Sequence, residues 1–351
     1  MATIVAEHIG RLFISLQQIR QVPRMLAEAA PSMPATLRDS DVPAHLRDHH
    51  ITSGYRPLRQ NWRYYFFSLF QRHNETLNVW THLIAFLIIL VKCCDLAENV
   101  DFANDRHARP LLILLISSLN YTAFSVIAHL FGSKSELCHF IFYYLDYVGV
   151  AQYQFGSAVT HFYYSIDTNM HSLVKGVFLP TAATFSFLSF TGCCYGKYNS
   201  LHSCIRKFGH VVPSALAYTW DISPIAKRLI CWSESSDDPA LVYHFGQVAC
   251  FLSAAAFYTF PIVENCFPGR CNFVGQSHQI FHIFLSCTTL CQIHACYLDY
   301  VGRRDLYLSL YKSGEAAFCA QLYACTLITC VLTGGVILRR VNRVLEKQKC
   351  M

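Results

Sequence analysis

Two imidazoles four residues apart, His278 and His282, open a long apolar stretch, GQSHQIFHIFLSCTTLCQIHACYL at 275–298. On one helical face such a pair stands with Cβ atoms roughly 6 Å apart and can grip one zinc ion. A bare His-x-x-x-His pair in a soluble helix is commonly nothing more than two surface histidines. In a membrane helix the balance changes, because ionisable groups there are expensive and mark function. The pair therefore asks whether the chain supplies further ligands at the same depth.

The composition points to a membrane. Of 351 residues, 53% are hydrophobic and only 14% charged, and the mean hydropathy is +0.29. Soluble domains run nearer one quarter charged. Most of the seventeen cysteines lie inside apolar runs, where they read as small buried hydrophobes rather than as a disulfide scaffold or a metal site. Eight apolar segments follow, near 76–94, 110–131, 139–161, 173–193, 209–222, 241–260, 277–298 and 316–338. Seven approach the ~20 residues a spanning helix needs. The fifth is short and contains Pro213.

These segments predict an all-α membrane protein with eight transmembrane helices. Residues 1–75 form a cytosolic N-terminal region, 76–298 a seven-helix core, 299–338 an outer loop and the eighth helix, and 339–351 a basic cytosolic tail. With the N-terminus inside, nineteen Lys and Arg lie on the cytosolic side and seven outside, so both termini are expected in the cytosol. Residues 1–75 hold no uninterrupted apolar core, so no signal peptide is read there. Ile9, Leu12, Phe13, Leu16 and Ile19 recur at helical spacing, as an interfacial helix or one packed on the domain. NWRYYFFSLFQR at 61–72 reads as a membrane-surface anchor.

This topology brings distant residues to one leaflet. The second span ends inside with Ser125 and His129, the third carries Asp146 about two turns in, and the seventh begins there with His278 and His282. Taken singly, His129 reads as a satisfied core histidine, Asp146 as an interhelical hydrogen-bonder and Ser125 as a small packing residue. Taken together, His129, His278 and His282 plus water make the open coordination of a catalytic zinc, which lowers the pKa of bound water. Asp146 would then hold or deprotonate water, and Ser125 would orient or stabilise an oxyanion. At the mouth of the first span, Glu75 meets a helix N-terminus and Asn78 and His82 share a face, forming either a polar clamp or a support for the metal.

NETLNVWTH at 74–82, the Ser125/His129 pair, LDYVG around Asp146 and GQSHQIFH at 275–282 together resemble the signature of the progestin and adipoQ receptor family. The likeness runs from about residue 50 to 315. Within the family, FYYLDYVGVAQYQFGSA, VVPSALAYTWDISP and CFPGRCNFVGQSHQIFHIF resemble the membrane progestin receptor branch, and QQIRQVP its beta type ahead of its alpha type. The resemblance implies zinc held by His129, His278 and His282, with Ser125 and Asp146 nearby. It also implies a plasma-membrane receptor for a steroid (progestin) or other lipid in the helix bundle, signalling through a heterotrimeric G protein or kinases. For the relatives that bind adiponectin it suggests a ceramidase-like amidohydrolase instead. The eighth segment departs from the seven-span members, so its place in the bundle does not carry over.

Other classes receive less support. No Asp-Arg-Tyr follows the third span and no Asn-Pro-x-x-Tyr lies in the seventh, so rhodopsin-like coupling machinery is absent. No repeated charge lines a pore face and no paired broken helices suggest a transport site. Nucleic acid is not an expected partner.

Overall fold

In the computed structural model, which describes residues 33–198, 203–232, 237–311 and 315–350, helices dominate. A short helix, α1 (Trp62–Phe67), begins at Asn61, whose side chain accepts from the Tyr64 amide. Tyr64, Tyr65 and Phe67 are buried, while Trp62 and Phe66 of the helix and Phe70 beyond it face outward. The chain continues through α2 (Thr76–Asn99), α3 (Arg109–Phe131), α4 (Glu136–Thr160), α5 (Thr168–Val174), α6 (Phe178–Tyr198), α7 (Ser203–Asp221) and α8 (Ser223–Ile230). It ends with α9 (Ala240–Thr259), α10 (Ile262–Cys266), α11 (Ser277–Gly302), α12 (Arg304–Leu310) and α13 (Glu315–Cys350).

Seven of the eight predicted segments each lie on one helix, but not every helix has the same character. α2, α3, α9, α11 and α13 are long and apolar enough to cross a membrane, and α5 with α6 makes a sixth only as a pair bent by 69°. The predicted fourth segment, 173–193, therefore spans a break. α4 has the length of a span but carries Glu136, His139, Asp146, Gln152 and Gln154. It tolerates them because α3, α6, α7 and α13 enclose it. α7 carries His210 and Asp221 and accommodates Pro213 inside the helix. The basic stretch read as a tail continues α13. The helix predicted around Ile9–Ile19 lies outside the described residues.

Helices α2, α3, α4, α6 and α7 pack in succession, α9 packs on α11, and α11 returns to α2. Tyr218 of α7 stacks on Phe251 of α9 at 3.6 Å, which closes the ring. α13 lies outside it, against α4 and α6. α3 and α4 come close at Gly149, where an added Cβ would stand 2.8 Å from the Tyr121 Cα. Such small-residue contacts let backbones meet in a membrane, where burial of apolar surface gives no net drive.

One end of the ring is capped by the segment before α1. A minimal antiparallel pair, β1 (Leu37–Arg38) and β2 (Ser53–Tyr55), holds it together. Gly54 lies at φ +96° with Phe273 and the Asn74 amide within about 3.1 Å of any added Cβ, so only glycine fits. Thr52 donates its amide to Asn272 at 2.8 Å, tying the cap to the loop before α11. That loop ends in a capping box of Gln276 and Gln279, and Glu264 accepts from the Ser277 amide at 2.6 Å. These contacts fix the first turn of α11, where His278 sits.

Candidate metal centre

The capped end brings three of the predicted residues together. The ligand atoms of His129, from the last turn of α3, and of His278 and His282, from the first turns of α11, all lie within 4.8 Å of one another. His129 and His282 are buried and His278 half-buried. The Nε2 atoms of His129 and His278 approach to 3.4 Å.

The outward nitrogens settle which atoms face the centre. His129 Nδ1 lies 2.7 Å from Glu75 Oε2, a group that only accepts when ionised, so the Nδ1 proton donates to it. His282 Nδ1 lies 3.2 Å from the Asn78 carbonyl and 3.0 Å from Thr81 Oγ1, and the carbonyl can only accept. Both rings thus carry hydrogen on Nδ1 and turn an Nε2 lone pair inward. Neutral imidazoles with Nε2 free and Nδ1–H held by an acceptor are the form that binds zinc. The donor set fits the metal.

Glu75, Asn78 and His82 all turn out to touch this cluster. Glu75 Oε2 accepts from Asn78 Nδ2 at 2.6 Å as well as from His129. Two donors on the one oxygen favour the ionised form of the Glu75 carboxyl. His82 stacks on His282 with ring centroids 3.6 Å apart, and its Nδ1 meets Ser125 Oγ at 2.7 Å. Ser125 is therefore one residue removed from the histidine triplet, bound to a ring that lies flat on a candidate ligand. Asp146 is within electrostatic reach of His129, yet among the described residues its carboxylate makes no hydrogen bond.

Three contributors escaped the sequence reading. Thr81 reaches His282 as described. Arg56, 2% exposed, donates from Nη2 to the His129 carbonyl and from Nη1 to the Leu130 carbonyl, both at 2.6 Å. A guanidinium there satisfies the orphan carbonyls that end α3 and favours its negative pole. Tyr143 sets its ring edge-on to His129 at 5.6 Å. Thr81 and Tyr143 stand within the quoted motifs NETLNVWTH and FYYLDYVGVAQYQFGSA, whereas Arg56 reaches the centre only through the cap. A cavity of about 540 Å³ opens beside the cluster, lined by Glu75, Asn78, His129 and His278 and roofed by Tyr55 and Arg56.

Residues 70–293 match the family described as "Haemolysin-III related". "Membrane progestin receptor alpha-B" of Danio rerio is 52% identical, covering 99% of this chain and 100% of its own. "Membrane progestin receptor alpha" of Homo sapiens is 44% identical, over 98% and 99%. "Membrane progestin receptor beta" of Mus musculus is 44% identical, over 95% and 96%. Relatives of both types thus resemble the chain along nearly its whole length. With its motifs, its apolar helices and this likeness, the chain belongs to the Haemolysin-III related family, the progestin and adipoQ receptors, and is a multi-pass membrane protein.

Proposed function

We propose that this protein is a plasma-membrane progestin receptor with an intramembrane zinc centre at His129, His278 and His282. The observation that carries the reading is the convergence of those imidazoles beside a 540 Å³ cavity, in a chain whose named relatives are membrane progestin receptors. A cavity of that size suits a ligand of steroid dimensions. Eight spans with both termini in the cytosol agree with the distribution of Lys and Arg. That orientation puts the zinc centre near the inner leaflet, where a G protein or other cytosolic partner would read the ligand-bound state rapidly and without gene expression. Zinc bound there supplies a Lewis acid and ties α3 to α11. Glu75, Asn78 and Thr81 orient its histidines.

The surroundings of Ser125 and Asp146 favour a second reading, a lipid amidohydrolase of ceramidase type. Among the described residues Asp146 spends its carboxylate on no hydrogen bond and is available to take a proton. Ser125, fixed by His82, offers a hydroxyl to a developing oxyanion.

His282→Ala separates the readings. Saturation binding of radiolabelled progesterone is measured alongside metal content and hydrolysis of a fluorescent ceramide by pure protein. The receptor reading expects saturable progesterone binding by wild type, and its absence would sink that reading. Loss of ceramide hydrolysis with progesterone binding intact supports the enzyme. Equal zinc in wild type and variant removes the metal centre.

A further inference from the structure

The opposite end of the ring holds a second set of buried ionisable groups that the metal centre does not use. Arg228 of α8 grips Asp299 of α11 with two bonds of 2.6 and 2.9 Å, and also pairs with Asp238 at 2.6 Å. Asp299, 1% exposed, accepts from His244 Nε2 at 3.0 Å. The segment His161–Ser165 winds as a π-helix, a rare form that often occurs at functional sites. It turns Ser165 onto Asp299 and His161 onto Asp221, at 2.6 and 2.8 Å.

From there a chain of side chains runs back through the interior. Gln247 Nε2 donates to His244 Nδ1 at 2.7 Å and to His161 Nε2 at 3.3 Å. Gln292 reaches His161 at 3.2 Å and accepts from Tyr153 at 2.7 Å. Thr289 joins Tyr153 at 3.1 Å to Tyr121 at 2.9 Å. The Tyr121 ring stands edge-on to His82, which stacks on His282. Along α11 the distance from Asp299 to His282 is about 25 Å, most of a ~30 Å hydrocarbon core.

The direction of each bond limits what the chain can transmit. Asp299 only accepts, so His244 carries its proton on Nε2 and takes the Gln247 amide on Nδ1. Asp221 likewise holds the His161 proton on Nδ1. Gln247 gives an N–H to each of these rings, so a hopping proton stops there. What the chain can pass on is geometry. We infer that these hydrogen bonds form one coupling element, through which the Arg228–Asp299 salt bridge sets the geometry of the His129–His278–His282 cluster. The inference rests on the reading of that cluster as a metal centre.

The test uses the full chain purified in detergent, with zinc affinity measured by chelator competition. Arg228→Lys keeps the charge and loses the fork, and Asp238→Asn perturbs the same guanidinium more gently. Thr289→Val removes the mid-chain hydroxyl while leaving α11 intact as a rod. Arg228→Lys is expected to weaken zinc about fivefold or more. In the Thr289→Val background the same change should have about a twofold effect at most, because the link is already cut. Unchanged affinity in Arg228→Lys, or effects that simply multiply, would overturn the coupling. Wild type without zinc would refute the metal centre by itself. Backbone hydrogen exchange at 277–285 then reads the coupling independently: faster exchange in Arg228→Lys and Asp238→Asn, only with Thr289 present, upholds it, and unaltered exchange rejects it.

Discussion

Glu75 offers the sharpest test of the metal centre, because it touches a candidate ligand without being one. Its Oε2 accepts from His129 Nδ1 at 2.7 Å and from Asn78 at 2.6 Å, with the side chains of His129 and Glu75 only 3% and 13% exposed. Glu75→Gln preserves shape and can preserve both contacts, but makes them neutral. Hydrogen bonds to an ionised group are worth about 1.5–3 kcal/mol and neutral ones about 0.5–1.5, so the His129 contact loses on the order of 1–1.5 kcal/mol. That difference grows when zinc withdraws charge from the ring, and removal of comparable partners weakens metal binding about 10- to 100-fold. The expected zinc affinity of Glu75→Gln is therefore about tenfold or more below wild type, measured by competition with a chromophoric chelator in detergent. Thr81→Val should do less, since the Asn78 carbonyl still holds the His282 Nδ1 proton. A folded Glu75→Gln protein that binds zinc within about twofold of wild type would refute the assignment of Nε2 as the inward atom of His129.

Gly149→Ala forces α3 and α4 apart against the Tyr121 backbone, so it should destabilise by about 1–3 kcal/mol; an unchanged thermal midpoint in detergent would show that the helices do not meet there. Arg56→Met strips the end of α3 of its guanidinium and should lower both zinc occupancy and thermal stability, whereas a wild-type melting profile with full zinc would contradict the role of the cap. Epitope tags at the two ends should both be reached by antibody only after permeabilisation, and a tag seen on intact cells would overturn the proposed orientation.

Much of the architecture was legible because a bilayer restricts what a backbone can do. Apolar runs of about 20 residues must be helical there, and seven of the eight predicted segments each lie on one helix. The break between α5 and α6 was not legible, because the apolar pattern of 173–193 runs smoothly through a turn that packing imposes. Nor was the character of α4, whose polar residues make sense only once four helices enclose it.

His129, His278 and His282 could be matched from sequence because residue type and depth are both properties of the linear chain. Glu75 and His82 were legible as polar residues near the same mouth, but their partners were not. Which nitrogen of His129 faces inward depends on a carboxylate 54 residues away. Arg56 and the chain of bonds from Arg228 to Tyr121 depend on contacts between segments far apart in sequence. Residue chemistry and hydrophobic period are local, so they announce a membrane bundle with histidines at one end. Hydrogen-bond partners are set by the distances between helices, and only the folded ring determines those.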